Sequence, residues 1–236
     1  MTSVVTVFLP YANPAMRIFA SGPAISVSTS AHIWAIGPGH FLALGARVVA
    51  LEPQPAPMAL LRRWYGHERR VTLIEAAAGA AAGQAVLRID PLNPAVASLS
   101  EAWIRQVGAS HGFAAVRWRE RLPVEVTTLD ALIAEHGLPA FTKIDVEGFE
   151  AAVLQGLSRP LPALSLEYVT AALDGALVAL DRLQTLGSYA FNRSSGESLR
   201  FLHGRWRSAT EMRQELRNLP AEAGSGDLYA RLEGPV

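Results

Sequence analysis

The sequence predicts an α/β fold built on a doubly wound, mostly parallel sheet with helices on both faces, and three observations carry that prediction. From Ala46 onward, short β-branched runs alternate with runs whose apolar residues recur at helical spacing, the order that right-handed strand–helix–strand crossovers produce. The strand-like runs are apolar without alternation, as in ARVVAL (Ala46–Leu51), which marks strands covered on both faces. Of the 236 residues, 50% are hydrophobic and 18% charged. That is enough to bury one full core, so residues 1–236 read as a single domain.

The elements follow in order. ARVVALEP is a buried strand stopped by Pro53, and APMALLRRWYG a helix ended by Gly66. VTLIEAAAG (Val71–Gly79) is the next strand, with QAVLRID another short one after Gly83. The stretch PLNPAVASLSEAWIRQVGASHGF is punctuated by Pro91, Pro94 and Gly108; it reads as a loop with one short helix, a lid or substrate-facing insertion. In VEVTTLDALIAEHGL, Thr128 is an N-cap and Gly137 a stop. AFTKIDVEG is a strand running into a turn, FEAAVLQGL a helix and PALSLEYV a buried strand. LDGALVALDRLQTLG is a helix, SYAFNRS a strand, SSGES a turn and ATEMRQELRNL a surface helix. GDLYARL closes the chain as an edge strand.

Composition excludes several functions. Acidic and basic residues balance at 21 each, so no basic stripe exists for a phosphate backbone and nucleic acid is not an expected partner. Without cysteine there is no disulfide framework, thiolate nucleophile or thiolate metal site, and a reducing cytoplasm is the expected compartment. The opening MTSVVTVFLPYANP holds an apolar run of about six residues and no basic flank, too short for a membrane span and unlike a secretory signal. The six histidines form no ligand pattern, so no metal is expected. Trp103, Trp118 and Trp206 either pack or line an acceptor pocket. The sequence assigns no oligomeric state.

In such sheets ligands bind at the carboxyl ends of the strands. Glu52 directly follows ARVVAL, where a carboxylate can accept from two vicinal ribose hydroxyls. KIDVEGFE places Lys143 and Asp145 on one face of an extended strand, with Glu147 and Gly148 leading into the next helix. Either these charges serve a ligand, or they form a local ion pair that caps that helix.

VTTLDALIAEHGLPAFTKIDVEGFEAAVLQGL, with ARVVALEPQP, VTLIEAAAG and LSLEYV, resembles the FkbM family of S-adenosylmethionine-dependent methyltransferases over roughly Phe41–Leu173. The resemblance implies a Rossmann-like class I methyltransferase fold with a reversed final hairpin. It also implies S-adenosyl-L-methionine as cofactor and methyl transfer to oxygen, with a small molecule or sugar as acceptor. Carried over position by position, Glu52 matches the ribose-binding acid, Ala76 the segment beside the adenine, and Asp145 and Glu147 the acidic pair facing cofactor and acceptor. Glu167, ending LSLEYV, matches a further acidic position of unassigned role. An acceptor hydroxyl must lose its proton, and Glu147 is the carboxylate placed to take it. A dinucleotide oxidoreductase would share Glu52 and the sheet but leaves KIDVEG unexplained.

One segment departs from the family. Where a glycine turn of the DxGAxxG type is expected before ARVVALEP, the chain has STSAHIWAIGPG (Ser28–Gly39), with late glycines, Trp34 in the turn region and no aspartate. Back-translated with synonymous codons and read one base earlier, this stretch can give DIGAHMGDRT. Residues up to about Gly39 therefore read as an out-of-frame translation restored near His40, and residues 40–236 as family-like. The alternative to an enzyme is a non-catalytic binding module that has lost the cofactor loop.

Overall fold

The computed structural model of the protein describes residues 3–8, 38–198 and 200–234. In chain order the elements are β1 (Ser3–Phe8), α1 (Pro38–Ala43), β2 (Arg47–Leu51), α2 (Pro55–Tyr65), β3 (Val71–Ile74), β4 (Ala77–Ala78) and β5 (Gly83–Ile89). They continue with α3 (Glu101–Val107), β6 (Glu120–Thr127), α4 (Leu129–His136), β7 (Phe141–Asp145), α5 (Glu150–Gln155) and β8 (Ala163–Val169). The last four are α6 (Asp174–Leu186), β9 (Tyr189–Arg193), α7 (Ala209–Arg217) and β10 (Ser225–Leu232). The stretch 28–37, most of the segment that departs from the family pattern, lies outside the described residues.

Local chemistry sets the helix ends. Pro55 opens α2, where its missing N–H is no loss. Thr128 caps α4 by accepting from the Ala131 N–H at 3.1 Å. Gly137 ends that helix at φ 91°, a conformation glycine adopts without a Cβ clash. Ser208 and Glu211 close a reciprocal capping box on α7.

The main sheet has seven strands in the order β3-β2-β1-β7-β8-β10-β9. β2, β3, β7, β8 and β9 run one way; β1 and β10 run the other. The sheet is therefore mixed rather than mostly parallel as expected, with only β2–β3 and β7–β8 paired in parallel, and the reading of the last strand needs correction too. GDLYARL is not an edge strand: β10 lies between β8 and β9, antiparallel to both, and its middle is buried. The central position is filled by β1, antiparallel to β2 and to β7, with Phe8 beside Arg47 and Ser3 beside Asp145.

A second, three-stranded sheet, β4-β6-β5, accounts for two further differences. VTLIEAAAG breaks into β3 and β4, and ERLPVEVT, read only as the approach to a helix, is strand β6. Its exposed positions and Pro123 hide it in the sequence, because one side faces solvent and it pairs with β5 alone along most of its length.

Alternate residues of the strands supply two separate cores. Val49, Leu51, Ile144, Leu164, Leu166, Phe191 and Leu228 pack with buried residues of α4, α5, α6 and α7. Val48, Ala50, Phe141 and Ala163 pack with Phe41 of α1 on the opposite side. Each fully buried leucine contributes about 1.5–3 kcal/mol. Among the described residues no helix is long and apolar enough to cross a membrane.

The stretch from Asp90 to Trp118 is braced rather than free. Trp118 Nε1 donates to the Val96 carbonyl at 2.7 Å, Arg117 N to Asp90 Oδ2 at 2.9 Å, and Gln54 Nε2 to the Pro94 carbonyl at 3.1 Å. Trp103, Phe113 and Trp118 form one aromatic cluster within it. Trp206 lies elsewhere, against Phe201 and the Arg231 guanidinium.

Candidate functional site

β7 and β8 are parallel neighbours with Lys143 level with Ser165 and Ile144 with Leu166. Ile144 and Leu166 point into the large core, so Lys143, Asp145 and Glu167 project from the opposite face. β10 adds Asp227, directly across from Glu167. Lys143, the chain's only lysine, sits 3.2 Å from Asp145 and 3.1 Å from Asp227. Burial opposes its charge, but these two carboxylates more than offset that and hold its pKa well above the usual value.

Just past β7 the chain turns sharply. Glu147 has φ 50° and Gly148 φ 84°, and three contacts hold the turn. Glu150 Oε1 accepts from the N–H groups of Val146 and Gly148, both at 3.2 Å. Ser98 Oγ donates to the Glu147 carbonyl at 2.6 Å. The Trp103 ring lies so close that a Cβ at Gly148 would meet it at 2.1 Å, so no other residue fits. The stretch read as a lid is thus a brace that fixes Glu147.

One carboxylate oxygen from each of Asp145, Glu147 and Glu167 lies within 4.8 Å of the others. Glu147 is 8% exposed. Burial first, and the neighbouring Asp145 second, push the carboxyls of Glu147 and Glu167 well above the ordinary range.

Glu52 directly follows β2 and is fully buried. Its Oε1 accepts from the Gln54 N–H at 2.8 Å, and its Oε2 has no hydrogen-bond partner. Burial, reduced by the Gln54 bond, raises its pKa from 4.5 to about 7. Because the folded-state value lies above the unfolded one, this group lowers stability as pH rises from about 4.5 to about 7. Glu52→Gln removes that penalty: chemical denaturation at pH 8 is expected to show about 3 kcal/mol of added stability, shrinking toward zero near pH 4.5. A stability change independent of pH would refute this account.

Ala76 follows β3 and is buried. With Leu51, Ala78, Val146 and Phe149 it lines an apolar cavity of about 10 Å³ between the ends of β2 and β7, room for about one water.

The structure therefore brings Asp145 and Glu147 together and places Glu52 just past the end of β2, with Ala76 on the cavity that Val146, between the two acids, also lines. Sequence reasoning missed Ser98, Glu150 and Asp227, and left Glu167 without a role. The second acid of VEGFE is a signal for Glu150; nothing local marks Asp227, which meets Lys143 from 84 residues away. Looking for metal ligands among histidines also overlooked a group made only of carboxylates.

No curated protein and no solved structure matches the chain. A family model, the methyltransferase FkbM domain, matches residues 38–219. That match spans most of the sequence and includes every carboxylate described above except Asp227; the chain belongs to the FkbM methyltransferase family.

Proposed function

We propose that the chain transfers a methyl group from S-adenosyl-L-methionine to a hydroxyl oxygen of a small molecule or sugar, with Glu147 as base. The observation that carries this reading is Glu147 itself, a buried carboxylate just past the carboxyl end of β7, on a turn that Ser98 holds in place and with an oxygen within 4.8 Å of those of Asp145 and Glu167. When bound, the cofactor supplies a methyl group on a positively charged sulfur. The remaining work is positioning.

The described residues fit that cofactor at three points and fail it at one. Glu52 Oε2 is an orphaned buried acceptor, suited to ribose hydroxyls. The small side chain of Ala76 leaves space beside a base, and Asp145 faces the same edge of the sheet. The failure is β1. Its reversal puts Phe8 beside Arg47, the amino end of β2, so the chain leaves β1 at the edge opposite Glu52 and Asp145. This favours a second reading, a binding module of the same family without turnover.

In the catalytic reading, Glu147 accepts the acceptor's hydroxyl proton on a carboxylate oxygen, while Ser98, Trp103 and Glu150 keep its backbone in place. We take the sheet as the doubly wound, Rossmann-like class I methyltransferase type, and the protein as cytoplasmic, with neither nucleic acid nor membrane as partner.

The test is incubation with millimolar methyl-labelled cofactor and a panel of sugars and small alcohols, followed by mass spectrometry for methyl ethers. Labelled ether is the expected result. Cofactor binding without any product would leave the binding-module reading.

A further inference from the structure

We propose that Asp145, Glu147 and Glu167 together hold one divalent cation, Mg2+ or Mn2+, at the carboxyl ends of β7 and β8. The three offer carboxylate oxygens mutually within 4.8 Å. Oxygens on a six-coordinate ion of this size lie about 3 Å apart when adjacent and about 4.2 Å when opposite, so small side-chain rotations close the set.

Glu147 distinguishes this group from an ordinary acidic patch. It is 8% exposed, its carboxylate makes no hydrogen bond or ion pair among the described residues, and it is aimed at the other two. A buried carboxylate in that condition calls for a positive partner. Lys143 does not meet the need by contact, because its ammonium is committed to Asp145 and Asp227 at 3.2 and 3.1 Å.

The donor set also limits which ion fits. Only carboxylate oxygens are present, with neither thiolate nor imidazole, which suits hard cations. Three protein ligands leave about three of six positions for water and for an acceptor oxygen. Resting on the methyl-transfer reading, the cation's role is to bind the acceptor hydroxyl and ease loss of its proton.

The test is calorimetric titration of the full chain with MnCl2 and MgCl2 in the absence of S-adenosylmethionine, with thermal unfolding recorded for every variant. One Mn2+ per chain is expected, weakened at least roughly 10-fold by Glu167→Gln and by Asp145→Asn. Glu125→Gln, on exposed strand β6, serves as the control and leaves Mn2+ affinity within about twofold. No Mn2+ binding, or binding that survives both Glu167→Gln and Asp145→Asn, overturns the site. If Mn2+ binds as expected and no methyl ether ever forms, the site stands and only the methyl-transfer reading falls.

Discussion

Replacing residues 1–39 with a segment that supplies a parallel first strand ending in DIGAHMGDRT will tighten S-adenosylmethionine binding at least 100-fold over the chain as it stands. β1 occupies the middle of the sheet but runs backwards, with Val4 beside Leu51 and Phe8 beside Arg47. A parallel strand would end beside Leu51 and Asp145, where its glycine turn could offer backbone N–H groups to the cofactor. Each hydrogen bond to a charged group contributes about 1.5–3 kcal/mol. Two such bonds amount to a factor of roughly 10² to 10⁴ in affinity. Calorimetric titration of both chains measures it. Micromolar binding by the unaltered chain would refute the prediction, and absence of binding by both would remove the methyl-transfer reading itself. The nucleotide sequence of the first forty codons is the companion check, since it either contains the glycine motif in the shifted frame or does not.

In the chain with that first strand restored, Glu147→Gln will slow methyl transfer by roughly 10² to 10⁴, the usual contribution of a positioned base. The amide keeps the shape of the side chain. Ser98 contacts the Glu147 backbone carbonyl, so the turn is expected to stay in place. Cofactor affinity should accordingly remain within about twofold, since Glu147 is placed to face the acceptor rather than the ribose. Transfer rates compared at saturating cofactor decide the matter. A loss smaller than about threefold would move the base elsewhere, because general-base contributions start well above that.

Most of the fold was legible because the elements that face the large core carry their period openly. ARVVAL, PALSLEYV and LDGALVALDRLQTLG each became the expected element. What stayed hidden depended on pairing. β6 shows buried positions on one side only and includes Pro123, so its neighbours, not its residues, make it a strand. GDLYARL carries an aspartate that suggests an edge, yet Asp227 is buried because Lys143 reaches it across the sheet. The same holds for the site. KIDVEG announced Asp145 and Glu147, but the meeting with Glu167 follows from the register of β7 against β8. The brace from Ser98 and Trp103 was equally out of reach, since Ser98 meets Glu147 from 49 residues away and Trp103 packs on Gly148 from a similar distance along the chain.

The position of β10 has a consequence for the order in which the protein is assembled. β8 and β9 do not pair as strands; apart from side-chain bonds such as that of Arg193 to the Tyr168 hydroxyl at 3.0 Å, each is joined to the other through β10, which follows β9 by some thirty residues of chain. During synthesis, β9 therefore emerges without a strand to pair with, held by contacts such as that of the Tyr189 hydroxyl with Leu161, and its strand pairing waits until β10 is complete. Pairings of this kind are slow because loop closure must precede any gain from contact. The sheet thus closes late, from its carboxyl-terminal strand inward, and a chain stopped before Ser225 would present the unpaired edge of β8 to other molecules.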